Sequence, residues 1–227
     1  KVGKETWLAE AKYIQENLSE AEIDAAWTNL PPEVQDETAE TLKSNLKSRL
    51  KNLEDIAERY ATYLNRTVAV HGTDKDDKIE ITRLADGKTQ VVIKRAISDE
   101  KDPVIFDRTF HKDETKEIWV YGLNDDDEFL VTGDGDNPIK VRIIGGYGKD
   151  KFTIKNRRQI KVYDWKYETS KFDEKTPAHQ FTNLYETNTY HWRYFKENNN
   201  ILLPNLGFQT DDGLFVGARD TYTNYGF

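Results

Sequence analysis

Gly72-Thr-Asp-Lys-Asp-Asp77-Lys-Ile79 has the same form as Gly122-Leu-Asn-Asp-Asp-Asp127-Glu-Phe129 and Gly145-Gly-Tyr-Gly-Lys-Asp150-Lys-Phe152. Each runs glycine, four residues, aspartate, one residue, then a large apolar residue. Val68 and Val70, Ile118 and Val120, and Val141 and Ile143 alternate up to the glycine. Ile79 and Ile81, Phe129 and Val131, and Phe152 and Ile154 alternate away from the aspartate. Alternation marks a strand with one buried face, so the unit is strand, acidic turn, strand.

The copies begin at positions 72, 122 and 145, offsets of 50 and 23 residues. The longer offset has room for a degenerate copy, Gln90–Ile93 and Val104–Phe106 around a polar Ser98–Asp102 loop. A fourth lead-in strand, Ile160-Lys-Val162, reaches Asp164 where a glycine would stand. A period of twenty-odd residues suggests stacked coils of a small β-solenoid, because one coil cannot bury its apolar edge alone. An antiparallel sheet competes with that reading. Asp86-Gly87 is a two-residue hairpin signal, and Gly133–Pro138 would serve as another hairpin loop.

Upstream, 1–66 reads as helical. Trp7, Leu8, Ala11, Ile14 and Leu18 recur at helical spacing, and Ser19-Glu-Ala-Glu22 is a capping box. Pro31-Pro32 ends a second short helix. Leu42, Leu46, Leu50, Leu53, Ala57, Tyr60 and Leu64 then form one apolar stripe, expected to lie on a single long helix and to pack on Trp7 and Trp27. The fold class is thus α+β: three helices with one long, a small all-β repeat region over 67–164, a connector over 165–200 and a hairpin over 201–227.

A net charge of −8 gives no basic face for nucleic acid. Without cysteine there is no disulfide, thiolate-zinc or cysteine-nucleophile chemistry. His71, His111, His179 and His191 form no HxH or HxxxH pair, and no phosphate loop or nucleophile elbow occurs. No catalytic residue is expected. Lys1 opens the chain and methionine is absent, which suggests a piece excised from a longer protein.

The third turn fits the glycine- and aspartate-rich nonapeptide of calcium β-rolls. Stacking would bring Asp77, Asp127 and Asp150 to one side with Asp125 near, and calcium takes six to eight such oxygens. These four are the candidate metal ligands, and a calcium-stabilised adhesion or binding module is one functional expectation. Aspartate capping its own turn by accepting backbone N–H groups is the simpler alternative. Trp165, Trp192, Tyr185 and Tyr190 offer aromatic faces that a glycan would stack on, a third and weaker expectation.

Pro204-Asn-Leu-Gly-Phe, Asp211-Asp-Gly-Leu-Phe-Val-Gly217 and Tyr222-Thr-Asn-Tyr-Gly-Phe227 resemble the first hairpin of a BamA-like surface-antigen barrel. Arg108-Thr-Phe, Glu114–Gly122, Val141–Gly146 and Val162-Tyr-Asp164, with Leu30–Glu33 and Val70–Lys75, are similar to the linker preceding that barrel. It belongs to Gram-negative outer-membrane proteins that begin with a calcineurin-like metallophosphoesterase. The phosphoesterase's metal ligands find no match here. The resemblance implies a non-catalytic module on the periplasmic side of the outer membrane, with an upstream enzyme domain and a downstream barrel of the same parent protein as partners.

Overall fold

A computed structural model describes residues 3–97, 102–174, 176–193 and 198–224. Most of the expected Ser98–Asp102 loop and the last three residues lie outside them. The chain is α+β. Helices α1 (Lys4–Asn17), α2 (Glu20–Trp27), α3 (Glu37–Lys51) and α4 (Leu53–Arg66) come first. The capping box is formed: the Ser19 N–H donates to Glu22 Oε2 at 2.7 Å, and the Glu22 N–H to Ser19 Oγ at 3.2 Å. Helix α1 lies on α4, with Trp7 edge-on to Tyr60 at 5.4 Å. Trp27 Nε1 donates to the Ala39 carbonyl at 3.1 Å, tying α2 to α3.

The apolar stripe does not lie on one long helix. At Asn52 the backbone leaves helical geometry (φ −99, ψ 15), and its side-chain amide donates to the Ser48 carbonyl at 2.9 Å. The side chain thus competes with the backbone for the Ser48 carbonyl, as short amides do where helices end, and the stripe divides between α3 and α4. Leu42, Leu46 and Tyr60 are exposed, and only Ala57 of the stripe is buried.

Strand β1 (Thr67–His71) passes through the first acidic turn into β2 (Asp77–Arg83). Likewise β5 (Glu117–Asn124) leads to β6 (Glu128–Thr132), β7 (Lys140–Tyr147) to β8 (Lys151–Ile154), and β9 (Ile160–Trp165) to the short β10 (Lys171–Phe172). The first member of each pair lies in one sheet, ordered β1-β5-β7-β9-β11 with β11 (Ala178–Thr182) at the edge, and every pairing in it is parallel. The second members form the facing sheet, β10-β8-β6-β2, also parallel. The repeat is in register: Val70 stands beside Val120, Val120 beside Ile143, and Ile79 beside Phe129, itself beside Phe152.

The long offset does not hold a degenerate copy. β3 (Lys88–Arg95) and β4 (Val104–His111) run antiparallel beyond β2, so the second sheet ends in a meander there. The Asp86-Gly87 turn is the expected hairpin, with both residues at positive φ. Gly133–Pro138 is no hairpin loop, because β6 and β7 belong to different sheets.

One core fills the space between the sheets, from Val68 and Ile79 to Ile154 and Val162. Phe129, Phe152 and Phe172 stack through it at 5.1 and 5.2 Å. The stretch after Asp164, read as a connector, supplies β10, β11 and the one-turn helix α5 (Tyr185–Asn188). It then turns back over the outer face of the first sheet. Tyr190 meets His71 at 5.0 Å and Tyr121 at 5.3 Å, over a second cluster of Trp119, Tyr121, Ile144 and Tyr163. Strands β12 (Asn199–Gln209) and β13 (Gly213–Thr223) pair with each other as a separate antiparallel hairpin.

Candidate functional site

The acidic turns bring their sixth-position aspartates into one buried column. The Asp77 N–H donates to Asp127 Oδ1 at 2.9 Å, and the Asp127 N–H to Asp150 Oδ1 at 3.0 Å. Within the first turn the carboxylate also caps its own loop, with Thr73 N–H donating to Asp77 Oδ2 at 2.6 Å. Asp77, Asp127 and Asp150 are all at most 1% exposed. An outer rank repeats the pattern: Asn124 Nδ2 donates to Asp74 Oδ1, Asp126 N–H to Asp76 Oδ1, and Lys149 N–H to Asp126 Oδ1.

The leading glycines are not needed for left-handed backbone. Gly72, Gly122 and Gly145 do not adopt positive φ. A Cβ on Gly122 would strike Asp127 Oδ2, one on Gly145 would strike Asp150 Oδ2, and one on Gly72 would lie 2.6 Å from Asp77 Oδ2. The glycine therefore leaves room for the carboxylate of its own turn. That steric pairing is why the two residues recur together.

Two ends close the column; the place of Asp164 in the repeat was legible in the sequence, but its role, Ser170 and Arg95 were not. At one end Arg95, on the inserted hairpin, brings Nε to 3.4 Å from Asp77 Oδ1. At the other, Asp164 stands where the fourth glycine would and Ser170 where the fourth aspartate would. The Asp150 N–H donates to Ser170 Oγ at 3.2 Å, and Asp164 Oδ1 lies over Gly145. The carboxylate has moved from the sixth position to the first. The missing glycine at 164 was a visible signal for that exchange; nothing in the sequence spacing pointed to Arg95.

Burial governs the charge state. Asp127 is pushed up to about 9, first by burial and then by the Asp150 carboxylate beside it. Asp150 and Asp164 are both raised, again chiefly by burial; Asp164 also repels Asp150, whereas the Ser170 hydroxyl works the other way on Asp164. One oxygen on each of Asp127, Asp150 and Asp164 is buried without a hydrogen-bond donor. Protonation relieves both the desolvation and the mutual repulsion.

Of the four candidate calcium ligands, Asp77, Asp127 and Asp150 come together and Asp125 does not. Asp125 faces solvent and pairs with Lys75 at 3.3 Å. Among the described residues no group of three or more His, Asp or Glu side chains is arranged to hold a metal ion. One oxygen of each of Asp77, Asp127 and Asp150 is engaged with a backbone N–H, and the stacked remainder falls short of a six- to eight-oxygen shell.

The outer face of the first sheet carries a charged cluster. Glu117 accepts from Trp119 Nε1 at 2.6 Å and from Arg142, with Lys140 at 3.2 Å. Burial works to raise the Glu117 carboxyl, but Arg142 and its neighbours hold it below the ordinary range. The Arg142 guanidinium also donates to the Tyr163 hydroxyl, so the cluster ties three adjacent strands together. Of the aromatic residues considered for glycan stacking, Tyr190 is taken up against His71 and Tyr121, and Trp165 packs on Tyr147 at 4.8 Å. Trp192 and Tyr185 stand exposed.

The hairpin is the second distinctive surface. Opposed residues in an antiparallel pair share a face, so Pro204 with Ala218, Leu206 with Val216, and Phe208 with Leu214 make one continuous apolar band. Leu206, Phe208, Leu214 and Val216 are each more than 70% exposed. The reverse face mixes Asn205, Gly207, Gln209, Gly217 and Arg219 with Leu203, and Phe215 lies over Gly207. No described helix is long and apolar enough to cross a membrane. Comparison with protein-family models, with curated proteins and with solved structures finds no match for this chain.

Proposed function

We propose that the chain is a non-catalytic scaffold module on the periplasmic side of an outer membrane, holding an upstream domain at a fixed place beside a β-barrel. The observation that carries this reading is the hairpin. An eleven-residue strand pair with an apolar band on one face leaves that band exposed among the described residues. A patch of this kind marks a surface made to be covered, and alternation of apolar with polar or small residues is what a lipid-facing barrel strand requires. Tyr222 beyond the band suits the aromatic girdle at the membrane interface.

The in-register parallel sheets support the rest of the reading. In finer terms they are a short β-solenoid-like stack, rigid because every coil bonds to the next through the aspartate column. Its likeness to the linker of phosphoesterase–barrel proteins suggests which domains it stands between.

Flotation of the full chain with phosphatidylcholine vesicles tests the proposal. The protein is expected to float, and Leu206→Asp with Val216→Asp to abolish flotation while leaving the far-ultraviolet spectrum of the sheets unchanged. A native chain that stays at the bottom of the gradient overturns the membrane reading. Turnover of a phosphoester by the chain with added divalent metal would overturn the non-catalytic one.

A further inference from the structure

Strand β2 carries two buried charged groups on its inner face, Asp77 at the column end and Arg83 at the other. Asp77 has Arg95. Arg83 has no carboxylate partner among the described residues. Its Nη1 donates to Thr89 Oγ1 at 2.9 Å, its Nη2 reaches the Arg158 carbonyl only at 3.5 Å, and its Nε is buried without a partner. Arg83 is 2% exposed, and desolvation alone lowers its pKa to about 10, so it stays charged at neutral pH. A buried cation left without a counter-charge is strongly unfavourable, and a site built this way calls for an anion.

Directly above it lies the corner between β8 and β9, Lys155-Asn-Arg-Arg-Gln159. Lys155, Arg157 and Arg158 are exposed and make no ion pair with a described residue, in a chain with eight more acids than bases. The corner is held in shape. Asn156, 8% exposed, donates from Nδ2 to the Gly133 carbonyl at 2.7 Å and accepts the Arg158 N–H at 3.1 Å. Gln159 then takes positive φ.

On the neighbouring strand Asp173, beside Thr153 and so two residues before Lys155, is already engaged, accepting from Thr153 Oγ1 at 3.4 Å and pairing with Lys151 at 3.2 Å. Asp134 and Asp136 lie between β6 and β7. Asp136 is turned away, accepting the Asp86 N–H at 3.1 Å on the β2–β3 turn. The acidic turns lie at the other end of β8, about four residues or roughly 13 Å away. That exceeds the Debye length of about 8 Å at physiological ionic strength, so their field is largely screened at the corner.

We propose that the β8–β9 corner is an anion site for a phosphate group, bound by Arg157, Arg158 and Lys155, whose charge also compensates the Arg83 guanidinium one layer beneath. Planar guanidinium groups match phosphate oxygens in paired hydrogen bonds. The phosphate can be free or borne by a lipid headgroup, and the site does not depend on the scaffold reading.

The test is a titration of the full chain with inorganic phosphate at constant ionic strength, followed by amide chemical shifts of residues 155–160. Saturable shifts are expected, weakened at least tenfold in Arg157→Ala with Arg158→Ala, two exposed positions whose loss leaves the core intact. A parallel arm compares sedimentation with phosphatidylglycerol and phosphatidylcholine vesicles. Variant-sensitive preference for phosphatidylglycerol without saturable binding of free phosphate assigns the site to a headgroup. Shifts that follow ionic strength alone, or are equal in native and variant protein with no vesicle preference, overturn the proposal.

Discussion

The backbone N–H of Asp77 donates to the carboxylate of Asp127 across 50 positions of sequence, and the same bond joins Asp127 to Asp150 across 23. The unequal spacing disappears in space because the additional residues leave the stack as β3 and β4. A parallel coil therefore needs no constant period. It needs only that each turn present one carboxylate and one N–H at the same height.

Protonation of the column makes stability depend on pH. Asp127 has a folded-state pKa of about 9, against an ordinary value of 3.8. A group raised in this way holds a proton when folded that the unfolded chain has already released. Its contribution is complete below about pH 4 and is lost as pH rises toward 9; Asp150 and Asp164 act in the same direction. Urea unfolding is expected to show roughly 2 kcal/mol or more less stability at pH 9 than at pH 5. Asp127→Asn should flatten that slope, and an unchanged slope would mean that Asp127 is ionised in the folded protein.

Substitution of the leading glycine tests the steric pairing. In Gly122→Ala the new methyl would meet Asp127 Oδ2 and lie 2.6 Å from the Gly145 carbonyl oxygen. A destabilisation of about 1–3 kcal/mol is expected from overpacking. Gly217→Ala, with nothing within 4 Å, should change stability by less than about 0.5 kcal/mol. Equal melting temperatures for the two variants would remove the close approach as the reason for the motif.

Breaking Asn156 should loosen the basic corner without touching its charges. Asn156→Ala removes the bonds to the Gly133 carbonyl and the Arg158 N–H, at a cost of about 1–3 kcal/mol for the buried groups left unmade. Hydrogen exchange at residues 156–159 is expected to quicken more than in β7 or β8. Uniform protection across the sheets and the corner would show that the side chain does not hold the loop.

Strand alternation made the flanks of each turn legible, because a one-sided strand writes its burial directly into every second residue. Burial at Ile79, Ile81, Phe129 and Val131 follows that pattern. The pairing of glycine with aspartate was legible as recurrence but not as cause, since the contact depends on the carboxylate folding back over its own turn. Asn52 was hidden because an apolar stripe keeps its spacing through a one-residue break. Arg95 and Ser170 were hidden because their contacts are set by strand offsets between sheet neighbours. Asp164 illustrates the limit: its place in the repeat could be counted, whereas its exchange of roles with Ser170 could only be seen once β9 and β10 were paired.

Asp125 separates a metal-binding turn from a self-capped one. It holds φ 70 where the third copy has Gly148, and it faces solvent beside Lys75. A non-glycine residue in the left-handed region carries strain of about 1 kcal/mol or more, and the exposed ion pair contributes about 0.2–1 kcal/mol. Asp125→Gly is therefore expected to unfold within about 1 kcal/mol of the native chain. Because one oxygen of Asp77 and one of Asp127 are engaged within the column and Asp125 faces solvent, 5 mM calcium, a concentration on the order of weak extracellular sites, should leave the melting temperature of both proteins unchanged relative to chelator. A calcium-dependent rise in the native chain that Asp125→Gly abolishes would reverse this assignment and make the turns a calcium site, since a ligand that binds only the folded state raises its stability by mass action.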